Sequence, residues 1–416
     1  MKFASPWIIT GLLFAGPDAQ AQLLPSPGAL GQVGGVVPGV LDRIEGAIDE
    51  TGLGGRSDRL AERLVSVRAA HIGDLLRRHG DLIELDDRRE PARRGVILLT
   101  GVKETSIEAL RSTGYGIESQ AIEGIDLPVI RLTVPQGRSL AHALKQVRLI
   151  APEAVASADN LYFPSGPANM VPTAALASNG SVKPRAAGLI DGGVARHPSL
   201  MGSIEQRGFA RGAPRASSHG TAIASLISGT GIVRGAAPGA PLMVADVYGD
   251  DPAGGGAFAI ARALGWMAAR GVGVVTVSLV GPDNPLLAGA IRLAKDKGVT
   301  VVAAVGNDGP AAPPAYPASY SVVVAVTGID GRGRLLPEAG RARHVDFAAP
   351  GADMNAARTD GGKGRVRGTS FAAPLVAGRL FVTGSLDALR AEAKRGRTSG
   401  QGWGSGIICD SCRNMD

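Results

Sequence analysis

The chain has 416 residues, 44% of them apolar, and carries 44 Lys and Arg against 37 Asp and Glu for a net charge of +7. That length suits two or three domains, or one large domain with extensions, and is enough to bury a sizeable core. The positive balance does not mark a nucleic-acid or membrane-surface protein. Arg is spread along the chain, and its densest runs, Arg88–Arg94 and Arg390–Arg397, have no interleaved aromatics. A stacking platform needs those, so the charge reads as solvated surface. With aromatics at 4%, the core falls to Ala, Val, Leu and Ile, and 60 glycines imply many tight turns and close backbone approaches.

In chain order, Lys2 precedes an apolar stretch, Trp7–Ala15, and then Ala19-Gln20-Ala21. A positive start, a short apolar run and a small-x-small site predict a secretory signal peptide over residues 1–21. The run is too short to span a bilayer, and no later segment reaches 18 apolar residues. The expectation is an exported chain, periplasmic or extracellular, with no membrane segment once the signal is removed. Residues 22–93 read as a Gly/Pro leader followed by a charged helical region. In the latter, Leu60, Leu64 and Val67 recur at helical spacing, and Leu75 and Leu76 continue the face.

Residues 94–163 carry a compact pattern. Val96–Leu99 is a short strand, Thr105 with Glu108 forms a capping box, and Ile117–Ile125 and Val129–Val134 read as a strand pair. Ser139 caps a helix bearing Leu140, Leu144 and Val147, and a last strand follows near Val155. The order β-α-β-β-α-β predicts a small α+β domain of the split βαβ type. From about residue 180 to 388 apolar runs alternate with helical stretches. The runs are Ala187–Ile190, Leu242–Ala245, Val272–Leu279, Val299–Val305 and Val322–Val326; the helices are Phe258–Arg270 and Leu286–Lys297. Near-continuous apolar strands of this kind belong to a buried parallel sheet, so the region reads as a three-layer α/β domain. Residues 389–416 turn polar and Gly-rich and predict a loose tail. Its two cysteines, Cys409 and Cys412, are the only ones in the chain. In an oxidising compartment a short disulfide is the simplest reading; free thiols, or a redox or metal role, are the alternatives.

Four short stretches carry chemistry. In Leu189-Ile190-Asp191-Gly192-Gly193 an apolar strand ends in a carboxylate, at the strand end where α/β sheets place their sites; a turn Asp would look similar. In Ser217-Ser218-His219-Gly220-Thr221-Ala222 a His opens a helix of small residues, though a lone His is often structural. In Val305-Gly306-Asn307 an Asn follows a strand and is able to point its amide into the same crevice, or merely to make a turn. In Gly368-Thr369-Ser370-Phe371-Ala372-Ala373-Pro374 a Ser follows a glycine and opens an apolar helix, where developing negative charge gains from the helix dipole; a capping Ser is the bland alternative.

Taken together, in the order Asp, His, Asn, Ser, these stretches resemble the subtilisin-like serine peptidases over roughly residues 180–388. The resemblance implies a serine endopeptidase with Asp191, His219 and Ser370 as catalytic triad. Asn307 and the Ser370 backbone N–H would be the oxyanion donors. It also implies a polypeptide substrate bound as an added strand along Gly254-Gly255-Gly256 and Ser278-Leu279-Val280-Gly281. No cofactor is required. Calcium is common in the family, but no Asp/Asn cluster with loop spacing marks a site, and no metal ligand is assigned. The 94–163 segment resembles the family's propeptide, a folding chaperone and inhibitor, which predicts a self-cleavage between Asn160 and Ala187.

The sequence departs from the family pattern at three places. Val280 stands where glycine is usual, so that its side chain either narrows the S1 pocket or shifts the bound strand. Gly192 replaces a hydroxyl residue after Asp191. The segment after Gly378 is short. These departures lend some support to a second reading, an inactive pseudo-protease that acts by binding a partner. A third, an esterase, lacks the Gly-x-Ser-x-Gly elbow and has the wrong residue order.

Overall fold

The computed structural model describes residues 55–165, 185–393 and 402–414. The expected signal peptide and leader, and the stretch 166–184, lie outside them. The leucine-bearing charged region forms helix α1 (Gly55–His79), followed by β1 (Ile83–Leu85) and β2 (Pro91–Thr100). Helix α2 (Glu104–Ser112), the hairpin β3 (Gly116–Ile122) and β4 (Leu127–Thr133), α3 (Leu140–Ile150) and β5 (Val155–Asn160) come next. The five strands form one antiparallel sheet in the order β1-β2-β4-β3, with β5 also pairing with β2. The expected β-α-β-β-α-β order is present, but the sheet starts earlier, so the boundary placed at residue 93/94 falls inside β2. The capping box at Thr105 does not form. Helix α2 starts two residues sooner, after Lys103, whose side chain makes no cap bond. Ser139 does cap α3, accepting from the His142 N–H.

Alternation along β2 builds two layers. Ile97 and Leu99 enter a core with Leu110, Leu144 and Val147 of the two helices. Val96 and Leu98 face the other way, into a core shared with the larger domain.

After β6 (Phe163–Pro164), the larger domain begins with β7 (Ala187–Asp191) and β8 (Ile204–Gly208). Helix α4 (Ser218–Ser228), β9 (Leu242–Asp246), α5 (Ala257–Ala269) and β10 (Val274–Val277) follow. Then come β11 (Leu279–Val280), α6 (Pro285–Asp296), β12 (Thr300–Ala304), β13 (Val324–Ile329) and β14 (Phe347–Pro350). The hairpin β15 (Met354–Ala357) and β16 (Lys363–Val366) leads to α7 (Ala373–Thr383) and α8 (Leu386–Glu392). Seven strands make one parallel sheet in the order β14-β13-β12-β10-β7-β9-β8. Its strands are apolar almost throughout because both faces are covered. Leu189, Val302 and Ala304 pack with α4 and α7 on one face. Ile190, Val301 and Ala303 pack with α5 and α6 on the other. This is the expected three-layer α/β domain.

The chain leaves β7 toward β8 and β9 on one side and returns to β10 on the other. That reversal places the crevice at the carboxyl ends of the central strands. The antiparallel sheet docks on α5 and α6 without a spacer. A Cβ on Gly124 would lie 2.1 Å from the Gly265 carbonyl oxygen of α5, so only glycine admits this approach.

Residues 402–414 do not form the loose tail expected of them. Ile408 is fully buried in the α7 core, Ile407 pairs with Ala348, and Cys409 and Cys412 are joined in a disulfide. Two adjacent isoleucines supply apolar area that the Gly-rich composition conceals. Among the described residues, no single helix is long and apolar enough to cross a membrane.

Candidate active site

Asp191 ends β7, and His219 lies in the first turn of α4. Both side chains are about 1% exposed, and the His219 Nδ1 lies 2.8 Å from Asp191 Oδ2. A carboxylate only accepts, so Nδ1 carries the proton and Nε2 keeps its lone pair. The other carboxylate oxygen accepts from the Gly192 N–H at 2.7 Å, which fixes the rotamer. The loop before His219 is held on both sides. The Gly193 N–H donates to the Arg215 carbonyl at 2.9 Å, and the Ser217 N–H to the Gly193 carbonyl at 2.8 Å.

The missing hydroxyl at Gly192 has a structural counterpart. A Cβ at 192 would lie 2.4 Å from Ser217 Oγ, which caps α4 by accepting from the Gly220 N–H at 2.8 Å. The space for a side chain at 192 is filled by the Ser217 hydroxyl.

Ser370 sits in a short 3-10 turn, Thr369–Phe371, that leads into α7. Its carbonyl accepts from Ser278 Oγ at 2.9 Å, and the next residue, Phe371, packs its ring 5.6 Å from the His219 ring. Ser370 Oγ and His219 Nε2 are both buried and have no hydrogen-bond partner. Unpartnered buried polar atoms are rare in structural roles. They are the two atoms that the sequence expects to pair as nucleophile and base, and no hydrogen bond joins them here.

Asn307 follows β12. Its Oδ1 accepts from the Thr369 N–H at 2.9 Å, which orients the amide so that Nδ2 points at the Ser165 carbonyl and bonds to it. Gly368, with φ +135°, permits this. A Cβ there would lie 2.7 Å from Asn307 Nδ2 and 3.1 Å from the Ser165 oxygen.

Residues 161–165 lie in the groove as an added strand. Leu161 bridges Gly256, and the Tyr162 N–H donates to the Gly255 carbonyl at 2.9 Å. On the other side β6 pairs antiparallel with β11, Phe163 opposite Val280 and Pro164 opposite Leu279. The Ser165 N–H and Oγ both donate to the Ser278 carbonyl, at 3.1 and 3.0 Å. A Cβ on Gly281 would meet the Tyr162 ring at 2.6 Å. Of the seven groove residues expected from sequence, six thus border this strand. Gly254 instead turns against the Tyr248 and Asp251 backbone.

Several contributors were not singled out in the sequence. Asp246 is fully buried, opposite Asp191 in the sheet register, and accepts from the N–H groups of Arg215, Tyr248 and Gly249. Burial raises its carboxyl above the usual range, and the backbone donors oppose that rise. It lies where a strand runs into a turn, as Asp191 does, and that was the available signal. The Tyr248 hydroxyl donates to the Tyr162 carbonyl at 2.7 Å, and the Tyr162 hydroxyl to the Pro282 carbonyl at 2.7 Å. Burial holds both phenols well above their ordinary value, so they remain donors.

Helix α1 also reaches the groove. Leu64 packs on Gly309, Arg68 pairs with Asp308 and Glu90, and His71 stands edge-on to Phe163 with ring centres 5.4 Å apart. Among the described residues, no group of three or more His, Cys, Asp or Glu is arranged to hold a metal ion.

The sequence profile of the subtilase family matches residues 186–386. The chain is 34% identical to subtilisin BL of Lederbergia lenta over 201 residues, 46% of this chain and 72% of that protein. It is 32% identical to the major intracellular serine protease of Bacillus subtilis over 177 residues, 41% of this chain and 56% of the relative. Among solved structures, fervidolysin of Fervidobacterium pennivorans shares the fold, with a TM-score of 0.62 at 18% identity, covering 78% of this chain and 61% of the other. The chain thus spans little more than half the length of some of these proteins. With the profile match and with 72% of subtilisin BL covered at 34% identity, the chain belongs to the subtilase family.

Proposed function

We propose that this protein is an exported serine endopeptidase made as a self-inhibited precursor, which cleaves its own chain between Ser165 and Gly166. The supporting observation is the contact between Asn307 Nδ2 and the Ser165 carbonyl, made while residues 161–165 lie in strand register in the groove. A carbonyl held there is a substrate carbonyl, and Ser165 occupies the residue position before the scissile bond.

In this reading Ser370 Oγ attacks the Ser165 carbonyl carbon while His219 Nε2 takes its proton. Asp191 holds the Nδ1–H tautomer and stabilises the imidazolium. Asn307 Nδ2 donates to the oxyanion; the Ser370 N–H is the expected second donor. The tetrahedral centre collapses, the bond to the Gly166 nitrogen breaks, and His219 gives its proton to that amine. Water then adds to the acyl-enzyme with His219 again as base, restoring Ser370 and leaving a Ser165 carboxylate. The cleaved N-terminal portion stays as inhibitor through the sheet's contacts with α5 and α6. The apolar stretch before Ala19-Gln20-Ala21 supports export to the periplasm or beyond, and polypeptides are the expected substrates.

Labelling with a fluorophosphonate probe, beside Ser370→Ala, with intact mass recorded for both, tests this. Label on the parent and a new N-terminus at Gly166, both lost in Ser370→Ala, support it. A folded protein with neither label nor cleavage favours the pseudo-protease reading instead.

A further inference from the structure

Val280 left two outcomes open, a displaced strand or a narrowed pocket. The bound segment keeps its register. Phe163 faces Val280, Pro164 faces Leu279, and the Ser165 N–H reaches the Ser278 carbonyl at 3.1 Å. The Val280 side chain has therefore not pushed the strand away.

The Val280 side chain lies instead over Gly306, the residue before Asn307. One wall of the slot beside Ser165 is the Ser278–Val280 segment that pairs with the strand. The other is Gly306–Asn307, whose amide holds the Ser165 carbonyl. Val280 Cγ1 lies 3.3 Å from the point where a Cβ on Gly306 would sit, and the Ala315 methyl lies 3.6 Å from that same point. A Val280 methyl thus reaches from one wall toward Gly306 on the other. Ser165 is 3% exposed, and its one hydroxyl is satisfied by the Ser278 carbonyl. A larger side chain at that position would have to displace Val280 from Gly306, and core-like contacts of this kind resist added volume.

We infer that Val280 closes the pocket for the residue before the scissile bond and restricts this peptidase to cleaving after small side chains, Gly, Ala or Ser. The inference rests on the peptidase reading above. It makes Val280 a specificity determinant, acting on substrate choice and leaving the triad chemistry alone.

The test uses the matured protein and two internally quenched peptides, Tyr-Phe-Pro-Ser-Gly-Pro and Tyr-Phe-Pro-Phe-Gly-Pro. Val280→Gly and Val280→Ala are compared with the parent, and fluorophosphonate labelling serves as a measure of the triad that does not depend on the peptide. In the parent, kcat/KM for the Ser peptide should exceed that for the Phe peptide by about 100-fold, within the range that a few methylenes provide. In Val280→Gly the Phe peptide should gain about 10-fold or more relative to the Ser peptide, with Val280→Ala between the two, and the ratio of the two peptides within each variant is independent of any change in its probe labelling. Equal cleavage of both peptides by the parent overturns the inference. So does an unchanged ratio in both variants. Absence of probe labelling in the parent overturns the peptidase reading itself, and the inference with it.

Discussion

The Arg68 guanidinium of α1 lies 3.2 Å from the Asp308 carboxylate, one residue beyond Asn307. A second nitrogen of the same guanidinium lies 3.2 Å from Glu90, just before β2. Helix α1 thus ties the small sheet to the catalytic loop, while His71 rests against Phe163 in the groove. It acts as a strap over the non-primed side of the bound strand. Each ion pair is partly exposed and worth about 0.2–1 kcal/mol. Only the Asp308 pair crosses to the large domain, so Arg68→Ala should loosen the hold of the N-terminal portion on that domain by about 1.4- to fivefold. Inhibition of the matured domain by added fragment 55–165 measures this, and an unchanged inhibition constant would remove α1 from the argument.

The same strap gives a pH dependence. Burial lowers the His71 pKa below 6.5, and the nearby Asp74 and Asp308 only partly offset it, with Arg78 adding to the lowering. A lowered pKa means that the bound state disfavours the charged ring. The contact is at full strength above pH 6.5 and weakens as pH falls through that value toward the depressed one. Asp159 and Glu90 run the other way, since burial raises both carboxyls and the bound state then favours their neutral forms. Denaturant unfolding of the Ser370→Ala precursor should come earlier at pH 5.5 than at pH 7.5. In His71→Phe that loss should vanish or reverse, and a parallel profile in both proteins would assign the effect elsewhere.

Much of this site was legible in the sequence because its chemistry sits at strand and helix ends, where apolar runs stop at Asp191 and Asn307 and helices open at His219 and just after Ser370. The parallel strands announced themselves as unbroken apolar runs. Two edge strands did not. Ile204–Gly208 reads Ile-Glu-Gln-Arg-Gly, half-exposed and polar, and Phe347–Pro350 is four residues long. The first is too polar and the second too short for periodicity to mark either one, as edge strands often are. Asp159 was also hidden. It is fully buried by its place between domains, where it accepts from the Phe258 N–H at 3.0 Å at the start of α5. Nothing local in Ser157-Ala158-Asp159-Asn160 signals a helix cap 99 residues away in the chain. The position of Ser165 in the groove is likewise a tertiary fact.

Removing single catalytic groups separates their roles. Asn307→Ala deletes the amide that holds the Ser165 carbonyl, and self-cleavage should slow about 10²–10³-fold. Asp191→Asn leaves the ring in place but favours the wrong tautomer, and the loss should be about 10⁴-fold. The release of a fragment ending at Ser165, followed by mass against time in the intact precursor, reports both. If Asn307→Ala matures at the parent rate, the Asn307–Ser165 contact is not an oxyanion contact.

The C-terminal segment should matter to stability more than its composition suggests. Ile408 is fully buried in the core that also holds Phe347 and Leu375. Beyond it, the Arg413 guanidinium donates to the Ala352 and Asp330 carbonyls at 2.7 Å each, and the Asn355 N–H donates back to the Arg413 carbonyl at 3.0 Å. The Cys409–Cys412 bond closes only a short loop between these two anchors. Chain-entropy gains grow with loop length, so the disulfide itself should contribute less than the buried side chain. Ile408→Ala is expected to cost about 2–5 kcal/mol, and the Cys409→Ser, Cys412→Ser double variant clearly less. Denaturant unfolding of the Ser370→Ala background, which keeps self-cleavage out of the measurement, ranks the two. A larger loss from the double cysteine variant would mean that the disulfide, and not the isoleucine, anchors the tail to the sheet.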